Sequence, residues 1–214
     1  MEEKQLQDEL TSIRSLMERS SKFISLSGLS GILAGIYALI GAGFIYYIIT
    51  PVMPYFPLAD NQIITFTDEF WGDASFITVL VLVGLLVLIA SVATCVLLSR
   101  RKAKKKGQPA WSKSSRLMLF NMAVPLITGA AIVLILISKG YYGIIAPGSL
   151  IFYGLALLGA SNFTFGDVKY LAILEIILGL VAALLPVYGL VFWAIGFGVL
   201  HIIYGSIMYF KYDG

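Results

Sequence analysis

Apolar residues occur in runs of about 20 along most of this chain, and this pattern constrains the fold more than any other feature. A helix of ~20 apolar residues rises about 30 Å, which matches the hydrocarbon core of a bilayer. Of the 214 residues, 59% are hydrophobic and 13% are charged. A soluble domain carries about 25% charged residues. We therefore expect an all-α polytopic membrane protein.

Six segments are predicted to cross the bilayer as three antiparallel hairpins. The short connections KGYYG and PVYG follow the third and fifth spans, whereas the connection after the first is long and acidic and that after the second is long and basic. Pro125 lies inside the third span, where proline frees a carbonyl and favours a kink. The predicted spans are about 24–49, 75–99, 117–138, 144–161, 169–186 and 189–209.

The segment before the first span, residues 1–23, is polar and mixed in charge. Its apolar residues Leu6, Leu10, Ile13 and Met17 recur at helical spacing. We expect an amphipathic helix on the cytoplasmic side or at the membrane interface. Residues 24–214 then form the transmembrane domain.

The placement of Lys and Arg predicts the orientation, because basic residues accumulate on the cytoplasmic side. With both termini in the cytoplasm, 14 of the 15 basic residues lie inside and only Lys139 lies outside. The reverse orientation would translocate the run RRKAKKK. The chain is thus predicted to be a multi-pass membrane protein with both termini in the cytoplasm.

The basic run itself is a candidate contact for anionic lipid headgroups, since each basic residue near the surface contributes about 1 kcal/mol. The alternatives are contact with an acidic partner or nucleic acid, and a run that only sets the topology. We expect the lipid bilayer as its partner and no nucleic acid. The candidate residues are Arg100, Arg101, Lys102, Lys104, Lys105 and Lys106.

Small residues at intervals of four mark candidate helix-packing positions, because they let helix backbones approach closely. The partner helix could belong to the same chain, to a second copy or to another membrane protein. The candidates are Ser27, Gly31 and Gly35 in the first span, Gly179 in the fifth, and Gly198 and Gly205 in the sixth.

Glu175 places a carboxyl group within the otherwise apolar fifth span. It shares its helix face with small residues, including Ala172 and Gly179, so we expect it to point into the bundle. His201, the only histidine, has a similar small-residue face in the sixth span. If these two faces meet, Glu175 and His201 can touch in the cytoplasmic half. Asn121, Asn162 and Tyr204 lie at similar depth and complete a candidate polar cluster.

Two interpretations of this cluster remain open. It can be a polar clamp that fixes helix packing, or a cytoplasm-facing pocket that handles a proton or ligand. No Walker A loop, G-x-S-x-G or H-E-x-x-H motif occurs, and the chain has one cysteine and one histidine. We therefore predict no enzymatic activity, no catalytic residue, no metal site and no cofactor.

The stretches MERSSKFISLSGLSGILAGIYALIGA and FWAIGFGVLHIIYG resemble a group of small bacterial six-span membrane proteins without a known activity. This resemblance implies a location in the bacterial cytoplasmic (inner) membrane. In size and span number the chain is also similar to substrate-binding subunits of vitamin transporters. The sequence favours a non-enzymatic membrane subunit or scaffold that associates with itself or with a partner. The alternative is a small transporter or ligand-binding membrane protein that uses Glu175 and His201.

Overall fold

The computed structural model describes residues 27–49, 74–105, 107 and 112–212. Within these ranges the chain forms helices and no strand. Short 3-10 turns, Tyr142–Ile144 and Pro186–Tyr188, precede the fourth and sixth helices. The helices are α1 (Gly28–Ile49), α2 (Ala74–Lys105), α3 (Lys113–Ser138), α4 (Ile145–Ser161), α5 (Val168–Leu184), α6 (Gly189–Trp193), a π-helical segment (Ala194–Leu200) and α7 (His201–Tyr212). We call α6, the π-helical segment and α7 together the C-terminal helix.

Five helical segments are long and apolar enough to cross a membrane, which confirms the helical, membrane-type architecture in the described part of the chain. The shorter α5 has 17 residues, or about 25 Å, at the lower end of the usual range. The predicted N-terminal helix, residues 1–23, and the acidic connection after α1 lie outside the described residues. The five segments are Gly28–Ile48, Ile77–Lys105, Lys113–Ser138, Tyr142–Ser161 and Pro186–Tyr212.

The basic run differs from its predicted position in a loop, because α2 continues through it to Lys105. Lys and Arg have long unbranched side chains and are good helix formers. Positive charge in the last turn of a helix is also favoured by the helix dipole. Five of the six candidate lipid-contact residues therefore extend α2 beyond its apolar part, and Lys106 lies outside the described residues.

Glycines let α1 pack backbone to backbone against the C-terminal helix. A Cβ atom at Gly35 would lie 2.5 Å from the carbonyl oxygen of Gly198. One at Gly31 would lie 3.1 Å from the Cα of Gly205. Gly28, next to Ser27 at the start of α1, has no space for a side chain beside Tyr209. The predicted glycine faces are thus used within one chain, between antiparallel helices.

The helix α4 is the centre of a second group of helices, which does not include α1 and α2. It packs most extensively against α5, and also against α3 and α6. Gly154 of α4 lies against Ala172 and Ile176, and Gly179 of α5 lies against Ile151. Both contacts join antiparallel helices.

The glycines of α5 and of the C-terminal helix do not pack against each other, although such packing was the condition under which Glu175 and His201 were expected to touch. Instead, Gly179 packs against α4, while Gly198 and Gly205 pack against α1. A helix face of small residues can pack closely against any helix that has a complementary surface. The spacing of glycines therefore predicts close packing, but it does not predict which helix is the partner.

One end of the bundle collects the basic residues around Asp167, and we call it the Asp167 end. Lys211 Nζ donates to Asp167 Oδ2 at 2.8 Å, and Tyr212 donates to the same oxygen at 2.9 Å. The hydrogen bond from Lys211 holds the pKa of Asp167 below its usual value, and that from Tyr212 adds to the effect. Lys102 Nζ lies 5.6 Å from the centroid of the Phe165 ring, which brings the end of α2 to this side.

The start of α3 lies at the same end, because Asn121 packs against Gly159 near the end of α4. Among the basic residues that the structure describes, only Lys139, at the end of α3, lies at the opposite end. Those at the Asp167 end are Arg100, Arg101, Lys102, Lys104, Lys105, Lys113, Arg116, Lys169 and Lys211. The two ends of the bundle therefore differ strongly in charge.

Replacing Gly35 by Ala tests the glycine contact. We expect Gly35→Ala to lower the free energy of unfolding by about 1–3 kcal/mol, because its methyl group overlaps the backbone of Gly198. The matched control is Gly43→Ala, also in α1, where a Cβ atom would meet nothing within 4 Å. That change should be neutral or add about 0.5–1 kcal/mol, since Ala is the better helix former. Equilibrium unfolding of the purified protein in detergent measures both, and equal effects would contradict the contact.

Candidate functional site: a buried carboxyl group beside the single histidine

Glu175 lies near the middle of α5 on its buried face, and none of its surface is exposed. The opposite face carries Ile173, Ile177, Leu180 and Leu184, all of them exposed. The expected inward direction of Glu175 thus agrees with its observed burial. Its Oε1 lies 3.4 Å from His201 Nδ1, so the structure places these two side chains side by side.

His201 is the first residue of α7 and is 7% exposed. Its Nδ1 lies 3.0 Å from the carbonyl oxygen of Gly196, and its Nε2 lies 2.7 Å from the hydroxyl of Tyr153 in α4. A carbonyl oxygen can only accept, so Nδ1 carries the proton and donates it to Gly196. In the neutral imidazole, Nε2 then accepts from the Tyr153 hydroxyl. The bonding partners thereby assign the tautomer.

The π-helical segment Ala194–Leu200 brings the Gly196 carbonyl within reach of His201. In an α-helix, residues three or four apart are neighbours on the surface, whereas residues five apart are not. The wider π turn changes this relation for Gly196 and His201. Such single π turns within α-helices are frequent at functional sites.

The carboxyl group of Glu175 has little polar contact. Neither of its oxygens has a hydrogen-bond partner among the described residues. A Cβ atom at Gly196 would lie 2.6 Å from Glu175 Oε2, 2.5 Å from Leu150 Cδ2 and 3.2 Å from Leu178 Cδ2. The carboxyl group therefore fits against the C-terminal helix because residue 196 has no side chain, and its other neighbours there are apolar.

Aromatic rings line the other side of His201. Phe197, within the π-helical segment, has its ring centroid 5.0 Å from that of Tyr153 and 6.0 Å from that of His201. Trp193 follows at 5.1 Å from Phe197. The rings connect the site with the start of the C-terminal helix.

A cavity of about 150 Å³ lies beyond Trp193, toward the Lys139 end of the bundle. Its lining is mostly apolar and includes Gly41 and Ile45 of α1 and Gly84 of α2. Trp193 is the residue that this cavity shares with the aromatic series. The cavity and Glu175 therefore occupy different halves of the bundle.

The other predicted members of the polar cluster are not all near Glu175. The side-chain amide of Asn121 donates to the carbonyl of Leu117 in its own helix at 2.9 Å. Asn162 caps the end of α4 and is exposed. Tyr204 lies one turn after His201, and its hydroxyl is buried without a hydrogen-bond partner in the part of the chain described. Thus Tyr204 stays close to the site, whereas Asn121 and Asn162 are too far along α3 and α4.

Two residues of the site were missed by the sequence reasoning. Tyr153 could have been proposed from the sequence, because a hydroxyl group in an apolar span needs a hydrogen-bond partner. Gly196 could not have been proposed, since a residue five positions before His201 lies on a different face of an α-helix. Only the π-helical geometry brings it to the imidazole.

Searches for related proteins found no matching family model, no matching curated protein and no matching solved structure. The function therefore has to be inferred from the geometry of the chain itself.

Proposed function

We propose that the chain is a six-span protein of the bacterial cytoplasmic membrane, with three antiparallel hairpins and both termini in the cytoplasm. The six helical segments α1 to α5 and the C-terminal helix support the span number, with α5 as the shortest. The concentration of basic residues at the Asp167 end supports the orientation, because this end should face the cytoplasm. The exposed Arg100, Arg101, Lys104 and Lys105 then lie at the level of anionic headgroups.

Single cysteines at the two ends test this orientation. In a Cys95→Ala background, Lys139→Cys should react with a membrane-impermeant maleimide in intact spheroplasts, whereas Lys105→Cys should react only after lysis. Both lysines are exposed on the protein surface, so a difference in labelling reports the side of the membrane and not burial within the protein. Labelling of Lys105→Cys before lysis would contradict the proposed orientation.

We further propose that the protein acts as a non-enzymatic membrane subunit or scaffold of a larger assembly. The observation that carries this proposal is the exposure of α2. Its main neighbour is α1, and none of its most apolar stretch is buried inside the chain. The corresponding stretches of α1 and α4 are each 39% buried. A helix held along one side leaves a wide apolar face for another membrane protein.

The glycine faces do not supply this surface, since they are occupied within the chain. One face that remains available lies on α2 and is made of branched apolar side chains; the apolar stretch of α3 is also only 6% buried. The α2 face includes Val81, Leu82, Leu85, Leu86, Ile89, Val92, Val96 and Leu97.

Site-specific photo-crosslinking in native membranes tests the scaffold proposal. A photoreactive residue at Leu86, which is 66% exposed on α2, should give one discrete protein adduct of stoichiometric yield. The matched control is Ile177, 52% exposed on α5, which should give lipid adducts only. Lipid adducts alone at both positions, together with a monomeric, partnerless protein after mild solubilisation, would contradict the proposal.

A second candidate function is that of a small transporter or ligand-binding membrane protein. Glu175 favours it, because a buried carboxyl group without a hydrogen bond is costly and intramembrane acids often lie on ion or substrate pathways. The apolar cavity near Trp193 adds a second feature that packing alone does not require. Under this proposal, Glu175→Gln removes solute uptake while the protein stays folded, whereas under the scaffold proposal uptake is not a property of the chain.

A further inference from the structure

Two acceptors compete for one N–H group at the centre of the site. The proton on His201 Nδ1 is donated to Gly196 O at 3.0 Å, while Glu175 Oε1 lies at 3.4 Å from the same nitrogen. The carboxyl group therefore lies beside a donor that is already used. A small movement of either side chain would transfer the hydrogen bond from the carbonyl to the carboxylate.

The protonation of Glu175 decides which acceptor wins. A neutral carboxyl group is compatible with its apolar neighbours Leu150 and Leu178, whereas an unpaired carboxylate there is strongly disfavoured. An ionised carboxylate is the stronger acceptor, because hydrogen bonds to charged groups are shorter and about twice as strong as neutral ones. The bond to Gly196 is therefore the one that a neutral Glu175 favours.

We propose that Glu175 is a proton-binding site and that the π-helical segment Ala194–Leu200 responds to its occupancy through His201. With the proton bound, His201 Nδ1 donates to Gly196 and the π turn is retained. When the Glu175 carboxyl group releases its proton to the aqueous phase, the Nδ1–H group turns to Oε1. The Gly196 carbonyl is then free to accept the backbone N–H of Leu200, which is the α-helical pattern. No covalent bond other than O–H of Glu175 changes.

The ligand set favours a proton over a metal ion. The described residues bring together no group of three His, Cys, Asp or Glu side chains. At this site they provide one carboxyl group and one imidazole, whose two nitrogens already have partners. A proton needs a single acceptor oxygen, which Glu175 supplies.

Few other titratable groups face the site. α4 contributes Tyr153, and α7 contributes Tyr204 besides His201. Cys95 of α2 lies within electrostatic range of Tyr153. α1 faces the His201 backbone with Gly31, and the buried face of α5 has no titratable group besides Glu175. Glu175 is thus the only carboxyl group among the described groups that face the site.

This proposal deepens the second candidate function, but it does not depend on the identity of any solute. Its test uses the full chain in lipid nanodiscs, with ¹³C-labelled glutamate and infrared detection of the carboxyl C=O stretch. Glu175 is the only glutamate within the described helices. We expect a glutamate-derived band of a protonated carboxyl group at neutral pH, absent from Glu175→Gln and retained in the control Asp167→Asn.

The response of the π-helical segment is read from Trp193, which contacts Phe197. In a Trp71→Phe, Trp111→Phe background, Trp193 emission should change with the same pH midpoint at which the carboxyl band disappears. Glu175→Gln should abolish this transition. If that variant does not fold, Glu175→Asp, which also removes the labelled glutamate but keeps a carboxyl group, assigns the band instead.

Absence of a glutamate-derived protonated band at neutral pH would overturn the proton site. A band that titrates without any change in Trp193 emission would overturn the coupling. Neither result bears on the photo-crosslinking at Leu86, so failure of the proton site and failure of the scaffold proposal can be told apart.

Discussion

The close approach of α1 to the C-terminal helix is the contact on which the rest of the structure depends. It requires glycine at Gly31, Gly35, Gly198 and Gly205, because a Cβ atom at these positions would overlap the opposite helix or press against it. The contact holds the C-terminal helix with His201 turned toward α4 and α5. Without it, the imidazole would lose its fixed position between Tyr153 and Glu175.

The polar site then connects three helices through one imidazole. Tyr153 of α4 contacts Nε2, and Glu175 of α5 lies next to Nδ1. In a membrane such contacts contribute modestly to stability, about 0.6 kcal/mol on average in measured cases. The free energy gained from these contacts is smaller than the cost of burying a carboxyl group that has no hydrogen bond. This imbalance favours a role for Glu175 in addition to helix packing.

Much of the architecture could be predicted because the length of an apolar run is tied to the thickness of the bilayer. The inward direction of Glu175 followed from the small residues at helical spacing around it. The partner helices could not be predicted, since glycines such as Gly179 and Gly198 allow close packing with any neighbour. The extension of α2 to Lys105 was missed because charged residues were assigned to a loop, although they form helices well outside the apolar core.

The site was predicted only in part, for a geometric reason. Glu175 and His201 were paired on the assumption that the small faces of their helices meet, yet they come together by a different packing. Gly196 could not be found, because sequence periodicity assumes an α-helix and the chain forms a π turn there. Sequence periodicity therefore cannot predict contacts that depend on a local departure from α-helical geometry.

The protonation pattern of His201 tests the central claim most directly. The chain has one histidine, so ¹⁵N-histidine labelling yields a single imidazole whose two nitrogen resonances need no further assignment. In lipid nanodiscs at neutral pH, we expect a neutral ring with the proton on Nδ1 and a strong hydrogen bond accepted at Nε2. Tyr153→Phe should weaken the signature at Nε2 and leave Nδ1 protonated. A ring protonated on Nε2, or one averaging between tautomers, would contradict the proposed site.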